Sequence, residues 1–281
     1  MIRTRDIEKI IALTLASAYV EGDKPASLMI VSERPESGKT DMVQMFSENT
    51  GIVVLSDVTA FALWRDFYKE ITARKIKHII IPEFLAPLTR SSAIDNLIAT
   101  FQMMIEEGLT EIHTGFLPSI KFDTPISIGL IICMPRNAYV RHKLSWETSG
   151  FLSRFLVATY SYDKDTIEAI FKSIIQRQYF EKSKIKFAFT SATIEIPVPI
   201  AEMCRGLAES ITSKSRQEGK LYGFRELKNI LRFIASNVII ERANGSQRAI
   251  ATTDDFNEVS RLSYLFNEQF NHIKGEPNQP T

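Results

Sequence analysis

The fold is decided by residues 27–40, which read SLMIVSERPESGKT. The apolar run at residues 28–31 predicts a buried parallel strand, and a turn-rich loop follows it. Gly-Lys-Thr then opens a segment, residues 41–46, in which the apolar residues have helical spacing. A strand, a loop, Gly-Lys-Thr and a helix in this order predict a P-loop, which binds the phosphates of a nucleotide.

The chemistry of a P-loop gives each residue type a role. Backbone N–H groups of the loop and of the helix start would point at phosphate oxygens, and the helix dipole adds to that attraction. Lys39 would reach the β- and γ-phosphates of ATP, and the Thr40 hydroxyl would hold Mg²⁺. The predicted nucleotide-binding residues are Arg34, Pro35, Glu36, Ser37, Gly38, Lys39 and Thr40.

The match to the P-loop pattern is imperfect. The pattern G-x-x-x-x-G-K-[ST] has its first glycine at the position that Glu33 occupies in this chain. Glu36 adds a second carboxylate, and both would repel a polyphosphate unless they point to solvent. A chance Gly-Lys-Thr in a surface loop is the alternative interpretation.

Composition narrows the class of protein. The chain has 281 residues, of which 44% are apolar and 24% charged, and a net charge of +1. This is ordinary globular material, and its charge favours neither the presence nor the absence of a nucleic-acid partner. Two distant cysteines and four scattered histidines make a disulfide framework or a metal cluster unexpected. Without an apolar run of membrane-spanning length or a signal-peptide core, we expect a cytoplasmic protein that does not contact a membrane.

A second candidate site follows the apolar strand predicted at residues 78–81. Glu83 stands where a Walker B motif has its glutamate, and Pro82 stands where the motif has its aspartate. Ligands bind beyond the carboxyl ends of strands in open α/β sheets, so we expect Glu83 to orient an attacking water. The alternative is a strand-end carboxylate that caps the next segment. Pro82 cannot hold Mg²⁺ through a water, so Thr40 would carry more of that task.

The remaining pattern predicts an α/β fold with four parts. Residues 1–25 predict an N-terminal amphipathic helix. Residues 26–182 alternate strands and helices and predict a five-stranded, mainly parallel sheet with helices on both faces. Residues 183–272 predict a separate all-α lid, and residues 273–281 a disordered tail.

Two further stretches stand out within the sheet region, and the second is a candidate for contact with DNA. Residues 110–123 alternate apolar and polar side chains around Gly115 and predict a β-hairpin. Arg141, His142 and Lys143 predict a short basic loop, which is the best local cluster for backbone phosphates of DNA. A solvated turn is the alternative for this cluster.

Taken in order, these residues resemble the AAA+ ATPases, and within them the ATPase module of the minichromosome maintenance helicases. The P-loop and Ile81-Pro82-Glu83-Phe84 stand in the family's order, and the hairpin at residues 112–122 occupies the place of a DNA-facing hairpin. Leu152-Ser153-Arg154-Phe155 resembles the family's Leu-Ser-Arg-Phe. Residues 223–227 resemble its lid motif, and residues 250–255 resemble the entry to its last lid helix. Met134 departs from the family, which has an asparagine there.

The resemblance implies further roles and partners. Arg154 would act as a finger on the nucleotide of a neighbouring subunit, and Arg225 would close the lid on the phosphate. Asn137 would substitute for the missing sensor asparagine, which with Glu83 completes the expected catalytic set. The expected DNA-binding residues are His113, Lys121, Arg141 and Lys143.

An arginine that acts on a neighbour implies a homo-oligomer, here a hexameric ring or a spiral. The expected function is that of a motor or remodeller that hydrolyses ATP and acts on DNA or on a protein client. The alternative is a degenerate AAA+ scaffold or switch that binds nucleotide with little or no hydrolysis. A monomeric small-molecule kinase fits poorly, because such enzymes rarely need a helical lid after an arginine-bearing fifth strand.

Overall fold

The structure is a computed structural model that describes residues 4–33, 36–89, 91–114, 117–162, 164–176, 184–215, 223–243, 245 and 247–266. Its strands are β1 (Leu28–Ser32), β2 (Ile52–Val54), β3 (His78–Ile81), β4 (Leu109–Thr114), β5 (Leu117–Ile126), β6 (Gly129–Pro135), β7 (Leu156–Tyr160), β8 (Thr193–Glu195) and β9 (Arg248–Ile250). Its α-helices are α1 (Thr4–Ala16), α2 (Lys39–Gln44), α3 (Ala60–Thr72), α4 (Leu85–Leu88), α5 (Ser91–Gln102), α6 (Arg136–Thr148), α7 (Lys164–Ile175), α8 (Val198–Ser215), α9 (Phe224–Glu241) and α10 (Thr253–Leu262). Shorter turns are the 3₁₀ turns Ser17–Tyr19, Leu152–Arg154 and Ser263–Phe266 and the π turn Met103–Glu107.

A five-stranded parallel sheet in the order β2-β3-β6-β1-β7 organises the molecule. Strand β1 lies between β6 and β7, and all five of its residues are buried. An unbroken apolar run suits this position, because a strand of a parallel sheet is covered on both faces. The predicted α/β class and the five parallel strands are confirmed.

The side chains of β1 alternate between two hydrophobic cores. Leu28 and Ile30 pack into a core that includes buried residues of α1, α2, α8, α9 and α10. Met29 and Val31 pack into a second core with α3, α5, α6 and the β4–β5 pair. The C-terminal helices, whose presence is confirmed, therefore form a layer on one face of the sheet together with α1.

The four-part division of the chain stays a prediction. Residues 182 and 183, where the second boundary was placed, and the expected tail at residues 273–281 lie outside the described residues. The region expected to be all-α also contributes β8 and β9, which pair in parallel.

The predicted hairpin is present as the antiparallel pair of β4 and β5, while Gly115 at its turn lies outside the described residues. The predicted basic loop at residues 141–143 is wrong, because these residues lie within α6. Tyr139 and Trp146 are both buried seven positions apart, so the helix continues through the basic triplet to complete its apolar face.

No helix among the described residues is long and apolar enough to cross a membrane.

Candidate functional site

The loop that precedes Lys39 lies at the carboxyl edge of the sheet. Ser32, the last residue of β1, is in register with Pro135 at the end of β6 and with Tyr160 at the end of β7. Three strand ends thus meet around the loop. The carboxyl edge of an open parallel sheet is where ligands bind in α/β folds.

The amine of Lys39 folds back onto the end of β1. Its Nζ donates to the Oγ of Ser32 at 2.5 Å and to the Oγ of Ser37 at 3.1 Å. Partial burial lowers the pKa of Lys39, while the negative charge of Glu83 acts in the opposite direction. A half-buried ammonium held by hydroxyl groups at this edge is suited to an anionic ligand, because phosphate oxygens would satisfy its charge as well as its N–H donors.

Two tyrosines at the end of β7 hold the loop in place. The hydroxyl of Tyr160 donates to the carbonyl of Ser37 at 2.8 Å, and the hydroxyl of Tyr162 donates to the same carbonyl at 2.5 Å. Burial raises the pKa of both phenols, so both stay protonated as donors. We did not predict either tyrosine. Their alternation at the end of the fifth strand is a signal that would have found them once β7 was placed beside β1.

Gly38 is required by this arrangement. Its φ is +73°, in the left-handed region, and a Cβ built there would lie 3.3 Å from the hydroxyl oxygen of Tyr162. A side chain at position 38 would therefore be strained and would also press on the tyrosine that holds the loop.

The two acidic residues of the loop, Glu33 and Glu36, lie where solvent reaches their carboxylates. Glu36 has a φ of +61°, and its side chain is exposed to solvent. Glu33 is partly exposed at the start of the loop. Arg34 and Pro35, two of the predicted nucleotide-binding residues, lie outside the described residues.

Glu83 and Thr40 reach the same edge as Lys39. Glu83 follows β3, is exposed, and interacts electrostatically with Lys39. Thr40 is exposed in the first turn of α2, next to Lys39. A hydroxyl is a suitable Mg²⁺ ligand, and Pro82 adds none, so the chain offers Thr40 as a side-chain ligand at this point.

Asn137 lies in the first turn of α6, directly after β6, and is exposed. Its Oδ1 accepts a hydrogen bond from the backbone N–H of Ala138 at 2.8 Å. Met134, in the place of the sensor asparagine, is fully buried. Asn137 therefore lies at the carboxyl edge of the sheet, but its side-chain oxygen already accepts a hydrogen bond from the next residue.

Arg154 and Arg225 lie at the opposite edge of the sheet. Arg154 precedes β7, whose first residue Leu156 is in register with Leu28, so about 13 Å of strand separates it from Ser32. Arg225, at the start of α9, contacts the hydroxyl of Ser153 beside it. The structure therefore does not bring Arg225 to the loop of its own chain.

Arg154 is engaged within its own chain. Its Nη2 lies 2.9 Å from Glu107, and its Nη1 donates to the carbonyl of Gly150 at 2.5 Å. Its Nε is buried and has no hydrogen-bond partner among the described residues. In this structure Arg154 therefore pairs with Glu107, a carboxylate of its own chain.

The expected DNA-binding residues fall on two elements. His113 and Lys121 are exposed on the hairpin, where both approach the carboxylate of Glu111, at 3.4 and 3.9 Å. Arg141 and Lys143 lie on α6, where Lys143 pairs with Glu147 at 3.8 Å. Nearby carboxylates therefore offset part of the positive charge on both elements.

Comparison with known proteins does not assign the chain to a family. No model of a known protein family matches the chain, and no curated protein sequence is similar to it. Among 102 solved chains that are similar is a protein from Cytophaga hutchinsonii, described as a candidate ATPase. It is 12% identical with a TM-score of 0.48, over 91% of this chain and 79% of that one, and nothing about function follows from that likeness.

Proposed function

We propose that this protein binds ATP with Mg²⁺ at the loop before Lys39 and that it acts as an oligomeric, AAA+-like ATPase. The observation that carries the proposal is the half-buried amine of Lys39 at the carboxyl edge of a β2-β3-β6-β1-β7 sheet, within electrostatic reach of Glu83. A phosphate-binding lysine directly after a loop, with an acid at the end of a nearby strand, is the layout that nucleotide hydrolysis requires.

Each residue of the site has its own role in the proposed reaction. Lys39 exchanges the hydroxyls of Ser32 and Ser37 for the β- and γ-phosphate oxygens, so the loop needs little rearrangement. Glu83 orients the attacking water from the end of β3, which β6 separates from β1. Mg²⁺, when bound at Thr40, would neutralise part of the negative charge of the phosphates. Tyr160 and Tyr162 keep the Ser37 carbonyl turned away from the phosphates.

The position of two arginines supports self-association as part of this proposal. Arg154 and the Ser153 partner Arg225 lie at the edge away from their own Lys39, where a neighbouring copy could bring its nucleotide to them. For Arg154 to do this, it must release Glu107, which is itself exposed. Helix α7 supports contact between copies, because it buries none of its residues and exposes an apolar stripe of Ile167, Ile170, Phe171 and Ile174.

DNA or a protein client is the proposed target of the hairpin, through His113 and Lys121. The charge of Glu111 between them makes the hairpin a weaker candidate for DNA than a purely basic one.

A nucleotide-dependent switch is the second candidate. Pro82 and Met134 replace residues that assist hydrolysis, and Arg154 is held by Glu107. A chain that binds ATP and releases phosphate slowly would still change its assembly with the nucleotide.

Two measurements test the proposal. Calorimetric titration with MgATP should give saturable heat in the wild type and in Lys69→Ala, an exposed control on α3, but no heat in Lys39→Ala. No heat in the wild type would remove both candidates.

Phosphate release should stop in Glu83→Gln while binding persists, and it should continue in Glu70→Gln, an exposed control. Binding without phosphate release in the wild type selects the switch.

A further inference from the structure

A cavity of about 380 Å³ lies at the amino edge of the sheet, at the edge away from the Lys39 loop. Ile52 and His78, the first residues of β2 and β3, form its floor. The 3₁₀ turn after α1 and the extended segment at residues 184–192 form its sides. Its volume falls within the range of small-molecule sites, about 300–1,000 Å³.

Aromatic rings build one wall of this cavity. The ring centroids of Phe187 and Phe189 are 4.4 Å apart with an interplanar angle of 18°, and Tyr19 meets Phe189 edge to face at 5.4 Å. Phe187 also stacks on the buried Phe46, which anchors the wall to the core. Both phenylalanines are only partly buried, so the wall offers part of its aromatic surface to a ligand, while Phe46 and Phe189 cover the faces of the Phe187 ring.

The wall is pinned by its backbone. The N–H of Phe187 donates to the Oδ1 of Asn49 at 2.6 Å, and the N–H of Ala192 donates to the carbonyl of Tyr19 at 3.0 Å. These bonds hold the segment against the core at both ends, so the cavity is formed before any ligand arrives.

Lys77 brings a positive charge to the same cavity. Its Nζ lies 3.9 Å from the centroid of the Tyr19 ring and donates to the carbonyl of Ala18 at 3.3 Å. Partial burial lowers the pKa of Lys77. No carboxylate of the described residues pairs with this amine, so a half-buried cation faces the cavity with only neutral partners. An anion beside it would gain both a charge-assisted hydrogen bond and shielding from water.

We propose that this cavity binds a small planar aromatic acid, with its ring against Phe187 and Phe189 and its carboxylate at Lys77. A single negative charge is the match, because Lys77 is the cationic side chain among the described residues that line the cavity and a polyphosphate needs several. The site is separate from the Lys39 loop and does not depend on nucleotide binding. Since the wall leads into the C-terminal helices, the bound acid would fasten that segment to the 3₁₀ turn and to β3.

Calorimetric titration with 2-naphthoate, without nucleotide, tests the proposal, and 2-naphthamide serves as the neutral ligand of the same shape. The wild type should bind one naphthoate per chain and should bind the amide about tenfold more weakly, since the amide carbonyl accepts from Lys77 without the negative charge of the carboxylate. Lys77→Met, which keeps the length and the apolar character of the stem, should weaken naphthoate binding by a similar factor. Lys75→Met, an exposed neighbour, should bind as the wild type does.

Saturable binding with this pattern supports the proposal. No saturable binding to the wild type, equal affinity for acid and amide, or equal loss in both lysine variants overturns it. If Lys77→Met unfolds, as monitored by circular dichroism, the acid-against-amide comparison on the wild type decides alone. Phe189→Leu should then weaken both ligands, because it removes the stacking surface that they share.

Discussion

The Nζ of Lys39 lies 2.5 Å from the Oγ of Ser32, so the lysine of the loop is docked on the strand that precedes it. The amine has lost part of its water and gained hydroxyl partners, and this burial lowers its pKa. A polyphosphate at the same place would favour the charged form and raise that pKa again.

This relationship predicts proton uptake when ATP binds at alkaline pH. Below the lowered pKa the amine is already charged, so binding takes up no proton at this group. Above it, the neutral amine must gain a proton, so apparent affinity should fall as pH rises through the alkaline range. Titration at pH 9–10 in two buffers of different ionisation enthalpy measures the uptake. Lys39→Arg, whose guanidinium stays charged, should show none of it, and equal uptake in this variant would contradict the prediction.

The two tyrosines that share the Ser37 carbonyl should behave non-additively. Tyr160→Phe or Tyr162→Phe alone removes one donor and leaves the other, so each should cost about 0.5–1.5 kcal/mol in the free energy of unfolding. The double change leaves the carbonyl without either donor and should cost more than the sum of the single changes. Urea unfolding of the four proteins measures this, and ATP affinity should follow the same order. Strict additivity would show that the carbonyl finds another donor.

The Arg154–Glu107 pair predicts opposite effects for its two members. Arg154→Ala should lower ATP turnover by about a thousandfold if it acts as a finger on a neighbour. Glu107→Gln should preserve or raise turnover, because it frees the guanidinium. Phosphate release measured against protein concentration checks both, with Arg65→Ala as an exposed control.

Mixing subunits separates action on a neighbour from a structural role of Arg154. Lys39→Ala and Arg154→Ala chains, each inactive alone, should recover activity when mixed, because one supplies the loop and the other the arginine. A mixture as inactive as its components, from chains that still associate, contradicts the proposed trans role.

The buried His78 predicts an acid-sensitive fold. Burial lowers the pKa of His78 to about 4 from its usual 6.5, so the folded state holds the neutral ring. The unfolded chain therefore binds the extra proton first as pH falls, and stability is lost between pH 6.5 and 4 by up to about 3 kcal/mol. His78→Gln retains a donor for the carbonyl of Ala26 and should flatten this dependence. Urea unfolding from pH 4 to 8 measures it, and an unchanged slope in the variant would contradict the assignment.

The sheet and the loop could be predicted because local pattern dictates them. The apolar run that becomes β1 is unbroken by polar residues, which predicts a strand buried on both faces. Gly-Lys-Thr marks the turn into α2. The five strands and the helical C-terminal region follow from the same kind of period. Residues 141–143 were mistaken for a loop because three adjacent polar side chains mask the apolar face that Tyr139 and Trp146 form on either side of them.

Long-range pairing explains what the sequence could not show. The donation of Tyr160 and Tyr162 to Ser37 depends on β7 being the neighbour of β1, and it joins residues up to 125 positions apart. The approach of Arg225 to Ser153 likewise depends on how α9 lies against the sheet. No periodicity within a single segment carries that information.

The place of β1 between β6 and β7 has a consequence for biosynthesis. On the ribosome, the first strand of the sheet emerges long before either of its lateral partners, because Leu28 of β1 is in register with Ile131 of β6 and with Leu156 of β7. An incomplete chain that ends before Tyr160 would have the Lys39 loop but not the hydroxyls that steady it. The proposed nucleotide site would therefore mature only late in translation, and its assembly would be a slow step because the closing contacts are distant in sequence.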